Sequence, residues 1–145
     1  MNDLICHVSK VINAPIEKVF DAWLDPEQLS RFMLPMPGMP HPKTEVDGRE
    51  GGRFIIYMEV GDEIVPHSGT YLELERPNRL VFSWESPFST EGSNVTLDFT
   101  SVASNSTRIE LTHVRFIDEE TRSNHEAGWG NILDALDEVL NVKGN

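Results

Sequence analysis

The sequence predicts an α+β fold, in which a curved antiparallel β-sheet wraps around a long C-terminal α-helix and two short helices follow the first strand. Three observations carry this expectation. Apolar and β-branched residues crowd Leu4 to Ile12, period-two alternation fills the middle of the chain, and a stripe of period 3.6 closes it. Strands grouped in sequence with flanking helices give an α+β arrangement, and the apolar sheet face needs a helix to cover it.

The opening run stops at Asn13-Ala-Pro15, where proline suits the first turn of a helix and not a strand interior. Ile16, Val19, Phe20 and Trp23 then recur at i, i+3, i+4 and i+7, so one helix face is apolar while Glu17, Lys18 and Asp21 face water. Asp25-Pro26-Glu27-Gln28 restarts a helix, with an N-cap aspartate, proline at the first position and glutamine at the third, running to about Met33. From Thr44 onward the period changes. Phe54, Ile56 and Met58 alternate with Arg53, Ile55, Tyr57 and Glu59, and Gly61-Asp62 offers a tight turn into Ile64 and Val65. Pro77-Asn78 separates Thr70–Glu75 from Leu80–Glu85, Glu91-Gly92 precedes Val95–Thr100, and Ser104-Asn105 precedes Arg108–Val114. These spacings predict consecutive antiparallel strands. The last segment sets Trp129, Ile132, Leu133, Leu136, Val139 and Leu140 on one helix face opposite Asn131, Asp134, Asp137, Glu138 and Asn141.

With 145 residues, the chain is expected to form a single domain over 1–145, long enough to bury about 70% of its unfolded surface. Its 24 acidic residues against 12 basic ones give a net charge of −12, which repels phosphate backbones and acidic lipid headgroups, so neither nucleic-acid binding nor membrane insertion is expected. Cys6 is the only cysteine, which excludes an internal disulfide. The start MNDLICHVSK lacks the basic residues and unbroken apolar run of a signal peptide, so a cytoplasmic location is expected. His7, His41, His67, His113 and His125 show no metal-ligand spacing, and the glycines of Asp47–Gly52 lack a nucleotide-binding pattern; no metal and no cofactor are expected. Cys6, within the first strand, reads as a small buried hydrophobe.

Trp23, Phe32, Met33, Phe54, Met58, Phe82, Trp84, Phe99, Trp129 and Leu133 either line a cavity for an apolar ligand or fill the core. Met33, Met36 and Met39 lie in the Pro-rich segment 33–43, which reads either as a lid over such a cavity or as a surface loop. His113 shares the inward face of Ile109 and Leu111, where it either meets a ligand or serves as a satisfied structural group. If Tyr71 and Glu73 also face inward, His113 with Glu73 or Tyr71 forms a candidate acid/base pair. Gly128 and Gly130 interrupt the final helix at a cost of roughly 1 kcal/mol each relative to alanine, which close packing of that helix would offset.

Eight segments in order resemble a known family. They are Asn13-Ala-Pro15 with Val19–Trp23, Asp25–Leu29, Gly51–Phe54, Gly69–Glu73, Arg79–Trp84, Leu111–His113, and Gly128-Trp129 followed by Leu133 and Leu136. Together they are similar to the activator of heat-shock-protein-90 ATPase homologue-like branch of the START-like (SRPBCC, helix-grip) superfamily. That resemblance implies a helix-grip fold with an internal cavity between sheet and long helix. The superfamily includes lipid carriers, hormone receptors, polyketide cyclases and co-chaperones, so the fold alone names no activity. The branch's co-chaperone carries a further N-terminal domain that residues 1–12 do not supply.

The leading expectation is a protein that binds an apolar or amphipathic small molecule in that cavity, with His113 among the lining residues. An enzyme of the cyclase, hydrolase or isomerase type is the first alternative. The second is an interaction module whose partner is a chaperone or another protein. Monomer and homodimer are both compatible with the strand edges.

Overall fold

The computed structural model describes residues 4–36, 38–86 and 92–140. Chain order gives β1 (Ile5–Ile12), α1 (Ile16–Ala22), α2 (Pro26–Phe32), β2 (Lys43–Val46), β3 (Arg53–Val60), β4 (Glu63–Glu75), β5 (Arg79–Ser83), β6 (Asn94–Ala103), β7 (Ser106–Val114) and α3 (Glu119–Leu140). This is the expected helix-grip α+β fold. Glu91 of the expected turn, Pro37 of the Pro-rich segment and Asn141 of the final helix lie outside the described residues.

The strands form one seven-stranded antiparallel sheet in the order β1-β7-β6-β5-β4-β3-β2. Strands β2 to β7 are a simple meander, each paired with its neighbour in sequence, whereas β1 joins the far end by pairing with β7. Alternation puts Phe54, Ile56 and Met58 of β3, Val95, Leu97 and Phe99 of β6, and Ile109, Leu111 and His113 of β7 on the buried face. Trp129, Ile132, Leu133, Leu136 and Leu140 of α3 are buried with them in one core.

The short helices seal one end of this core. Pro15 holds the N-cap of α1 without a side-chain bond, while the Asp25 carboxylate caps α2 by accepting the Glu27 and Gln28 amides at 2.9 and 3.4 Å. Phe20 of α1 meets Phe99 edge-on at 5.1 Å, and Trp23 meets Phe32 at 4.9 Å. Asp21 accepts two bonds from the Arg76 guanidinium at 2.7 and 2.8 Å, fastening α1 to the β4–β5 turn.

Strand β4 is one continuous strand of 13 residues that runs through Pro66 and Gly69. Pro66 is tolerated because it pairs with Tyr57 of β3 at a level where the described β5 ladder has ended. Gly69 is required by crowding. A β-carbon there would lie 1.9 Å from the Ser83 carbonyl oxygen and 2.8 Å from the Phe54 ring.

Helix α3 begins ten residues before its first large apolar residue, Trp129, with the Asp118 carboxylate accepting the Thr121 amide at 2.8 Å. Arg122 holds its first turns by bonding both Glu119 and Glu126. Of the two glycines in α3, only Gly128 is explained by close packing, since a β-carbon there would sit 3.2 Å from Pro35; at Gly130 nothing lies within 4 Å. Gly130→Ala is therefore expected to stabilise the protein by about 0.5–1 kcal/mol, read as a higher urea midpoint at unchanged slope.

Candidate functional site

Two cavities share Trp84, one between the sheet and the α1–α2 segment and one between the sheet and α3. The smaller, of about 10 Å³, has room for roughly one water-sized sphere and is lined by Trp23, Leu29, Met33, Phe54, Ile56, Tyr71, Leu80, Phe82 and Trp84. The larger, of about 160 Å³, is lined by Pro35, Met58, His67, Trp84, Asn124, His125, Gly128, Trp129 and Ile132. Strands β3 and β4 supply one wall through Met58 and His67, and α3 supplies the other at helical spacing, from Asn124 and His125 to Gly128, Trp129 and Ile132. Pro35 closes the rim from the α2–β2 connection. It is anchored there by the Asn131 side-chain amide, which donates to the Pro35 carbonyl at 2.8 Å, and by its fit against Gly128.

Of the expected ligand-lining residues, Trp23, Met33, Phe54, Phe82 and Trp84 line the small cavity, and Met58, Trp84 and Trp129 line the large one. Phe32, Phe99, Leu133 and His113 line neither and are buried in the core. The expected lid is divided: Met33 is buried, Pro35 packs on α3, and Met36 is 57% exposed. Missed in the sequence were Pro35, Asn124, His125 and Ile132, together with His67. Two signals existed, since His125 lies one helical turn before Trp129 and His67 alternates with Val65.

His113 is a structural group. Trp129 Nε1–H donates to its Nδ1 at 3.0 Å, and because an indole nitrogen only donates, the imidazole proton must sit on Nε2, which donates to Ser93 Oγ at 2.7 Å. Both ring nitrogens are thus occupied. Burial pushes its pKa down to about 3, with the nearby His125 acting in the same direction.

Glu73 does not join His113. Tyr71 faces inward, and a β-bulge between Tyr71 and Glu73 breaks the alternation, so Glu73 accepts a bond from Arg79, which also holds Asp98. The Tyr71 phenol lines the small cavity, and burial pushes its pKa well above the ordinary value. With the His113 nitrogens held by Ser93 and Trp129, neither Glu73 nor Tyr71, the two candidate acid/base partners, is hydrogen-bonded to it.

Two other histidines carry their polarity into the large cavity. His67 Nδ1–H donates to the Val65 carbonyl at 3.1 Å, and His125 Nδ1–H donates to the Thr121 carbonyl at 2.8 Å. Burial lowers the pKa of each, so both rings are neutral near pH 7. The indole N–H groups of Trp23 and Trp84 are fully enclosed and have no hydrogen-bond partner. Burial of Cys6 pushes its thiol up to about 11, keeping it protonated. Among the described residues no group of three or more histidine, cysteine, aspartate or glutamate side chains is placed to hold a metal ion, and no helix is long and apolar enough to cross a membrane.

The same architecture is found in known structures. A protein from Chromobacterium violaceum superposes with a TM-score of 0.80 at 21% identity, over 99% of this chain and 100% of that one. An HSP90 activator from Plasmodium falciparum gives 0.76 at 24% identity, over 95% and 96% of the two chains. The AHSA1-like protein from Aeromonas hydrophila gives 0.75 at 27% identity, over 93% and 92%. A comparison with curated proteins gives no match. The family model described as activator of Hsp90 ATPase homolog 1-like protein matches residues 13–141, from the turn after β1 through the end of α3, and the chain belongs to that family.

Proposed function

We propose that this protein binds a small apolar or amphipathic molecule in the large cavity between β3, β4 and α3. The observation that carries the reading is a space of about 160 Å³ with largely apolar walls, Met58, Trp84, Trp129 and Ile132, beside the imidazoles of His67 and His125. Apolar walls with a few polar groups are the general form of a small-molecule site.

Native mass spectrometry of the freshly purified protein, compared with the same sample denatured, tests this reading. A discrete mass excess that is lost on denaturation is expected, and titration of the stripped protein with toluene should shift the amide resonances of Met58, Trp84 and Ile132. Absence of both effects would overturn it. Regulation of a chaperone is the second reading, supported by the family and by the likeness to the Plasmodium falciparum activator. It predicts a changed ATPase rate of Hsp90 on addition of this protein, and an unchanged rate removes it.

A further inference from the structure

We propose that the large cavity selects a neutral single-ring molecule carrying a hydroxyl group, a phenol, whose one O–H donates to the imidazole of His67 or His125. The inference rests on the cavity-binding reading and adds the ligand's chemistry. A carbonyl oxygen can only accept, so the bonds from His67 to Val65 and from His125 to Thr121 place the proton of each neutral ring on Nδ1. Each Nε2 is therefore a lone-pair acceptor, and neither has a hydrogen-bond partner among the described residues. Both rings line the same cavity.

Two acceptors define what fits. A hydroxyl donates its proton to an imidazole lone pair. A carboxylate would bring only acceptors toward two imidazole lone pairs. An ammonium would bring a charge into a site walled by Met58, Trp129 and Ile132, at a large desolvation cost. Size narrows the class further, because a cavity of about 160 Å³ is close to the ~150 Å³ that accommodates benzene in an engineered protein core. The indole rings of Trp84 and Trp129, with centroids 5.0 Å apart, offer an aromatic wall for such a ring.

The test compares phenol, anisole, toluene and benzoate by calorimetric and amide-shift titration of the full chain at pH 7. Phenol is expected to bind about tenfold more tightly than anisole or toluene, the increment of one good hydrogen bond. Of His67→Phe and His125→Phe, the one that removes the acceptor of the single hydroxyl proton should weaken phenol while leaving toluene binding in place, a split that loss of folding would not produce. If either variant fails to fold, nitrogen spectra of the histidine rings of the natural protein give the same answer. One Nε2 signal should move with phenol and stay with anisole, and phenol binding unchanged in both variants overturns the assignment. Equal affinity for phenol and anisole, or preference for benzoate, overturns the hydroxyl assignment and leaves cavity binding standing. Failure of all four to bind overturns both.

Discussion

Acidification from pH 6.5 to 4 is expected to remove about 3 kcal/mol of folding stability through His113 alone. The unfolded imidazole takes up a proton below its ordinary pKa of 6.5, whereas the folded one is held neutral down to about 3. Between those values the unfolded state binds more protons, so its free energy falls relative to the native state by roughly 1.4 kcal/mol per pH unit. The stabilisation is therefore complete above pH 6.5 and is lost as pH falls. The structural reason is the hydrogen-bond chain: a second ring proton on Nδ1 would confront the Trp129 N–H, a donor with no capacity to accept. His67 and His125 are shifted in the same direction and add to the slope. Carboxylates held low by arginine, Glu85 beside Arg53 and Asp21 beside Arg76, add to the loss as pH falls through their ordinary values near 4.5 and 3.8. Urea denaturation at pH 7, 5.5 and 4.5 measures the effect, and His113→Gln, which keeps one acceptor and one donor without titrating, should give a shallower dependence. A wild-type midpoint that does not move between pH 7 and 4.5, or an equally steep variant, contradicts this account.

Gly69→Ala is expected to destabilise the protein by about 3 kcal/mol, at the upper end of overpacking effects, because the added methyl meets backbone as well as side chain. Its nearest neighbour would be the Ser83 carbonyl at 1.9 Å, and β4 and β5 cannot separate there without disturbing the Thr70 amide that donates to Ser83 Oγ at 2.9 Å. Phe54 would also have to move. Its ring lies 5.3 Å from Phe82 and 5.4 Å from Tyr71, so displacement spreads through the aromatic lining of the small cavity. A lowered urea midpoint together with a weakened near-ultraviolet dichroism signal is the expected result. The same substitution at Gly130 has the opposite sign, since open space replaces the carbonyl. A Gly69→Ala protein as stable as the parent would show that the two strands yield more easily than their contacts imply.

Much of the architecture was legible in the sequence because it rests on local periodicity. The stripe from Trp129 to Leu140 and the alternation along β3, β6 and β7 name their own buried faces, and the Asp25 cap was readable from Asp25-Pro26. The failures occur where a tertiary contact overrides the pattern. Tyr71 is buried in step with Val65, His67 and Gly69, but the bulge after it sends Glu73 to Arg79, a change of face that no alternation rule contains. The first turns of α3 carry Glu119, Glu120, Arg122 and Glu126 without an apolar stripe, so their helix is held by a cap and ion pairs. Cavity volume depends on how side chains interlock. Phe99 and Met58 share an alternation class, yet one is consumed by contact with Phe20 and the other borders open space. In the sequence His67 and His125 show only the lack of metal-ligand spacing, and their significance comes from backbone carbonyls that accept from Nδ1.

The pairing of β1 with β7 has a consequence for how the chain is made. Ile5 lies opposite Val114 and Ile12 opposite Thr107, whereas every other strand pairs with its neighbour in sequence. At ribosomal rates of about 5–20 residues per second, the first strand emerges roughly 5–20 s before its partner. The meander can assemble hairpin by hairpin during that interval, but Cys6 and Ile12, fully buried in the finished protein, have no sheet to join until the last strand arrives. Closing a loop of about a hundred residues makes this the slow, non-local step of folding. The period in which this newly made sheet is most exposed to aggregation therefore ends with the docking of β1.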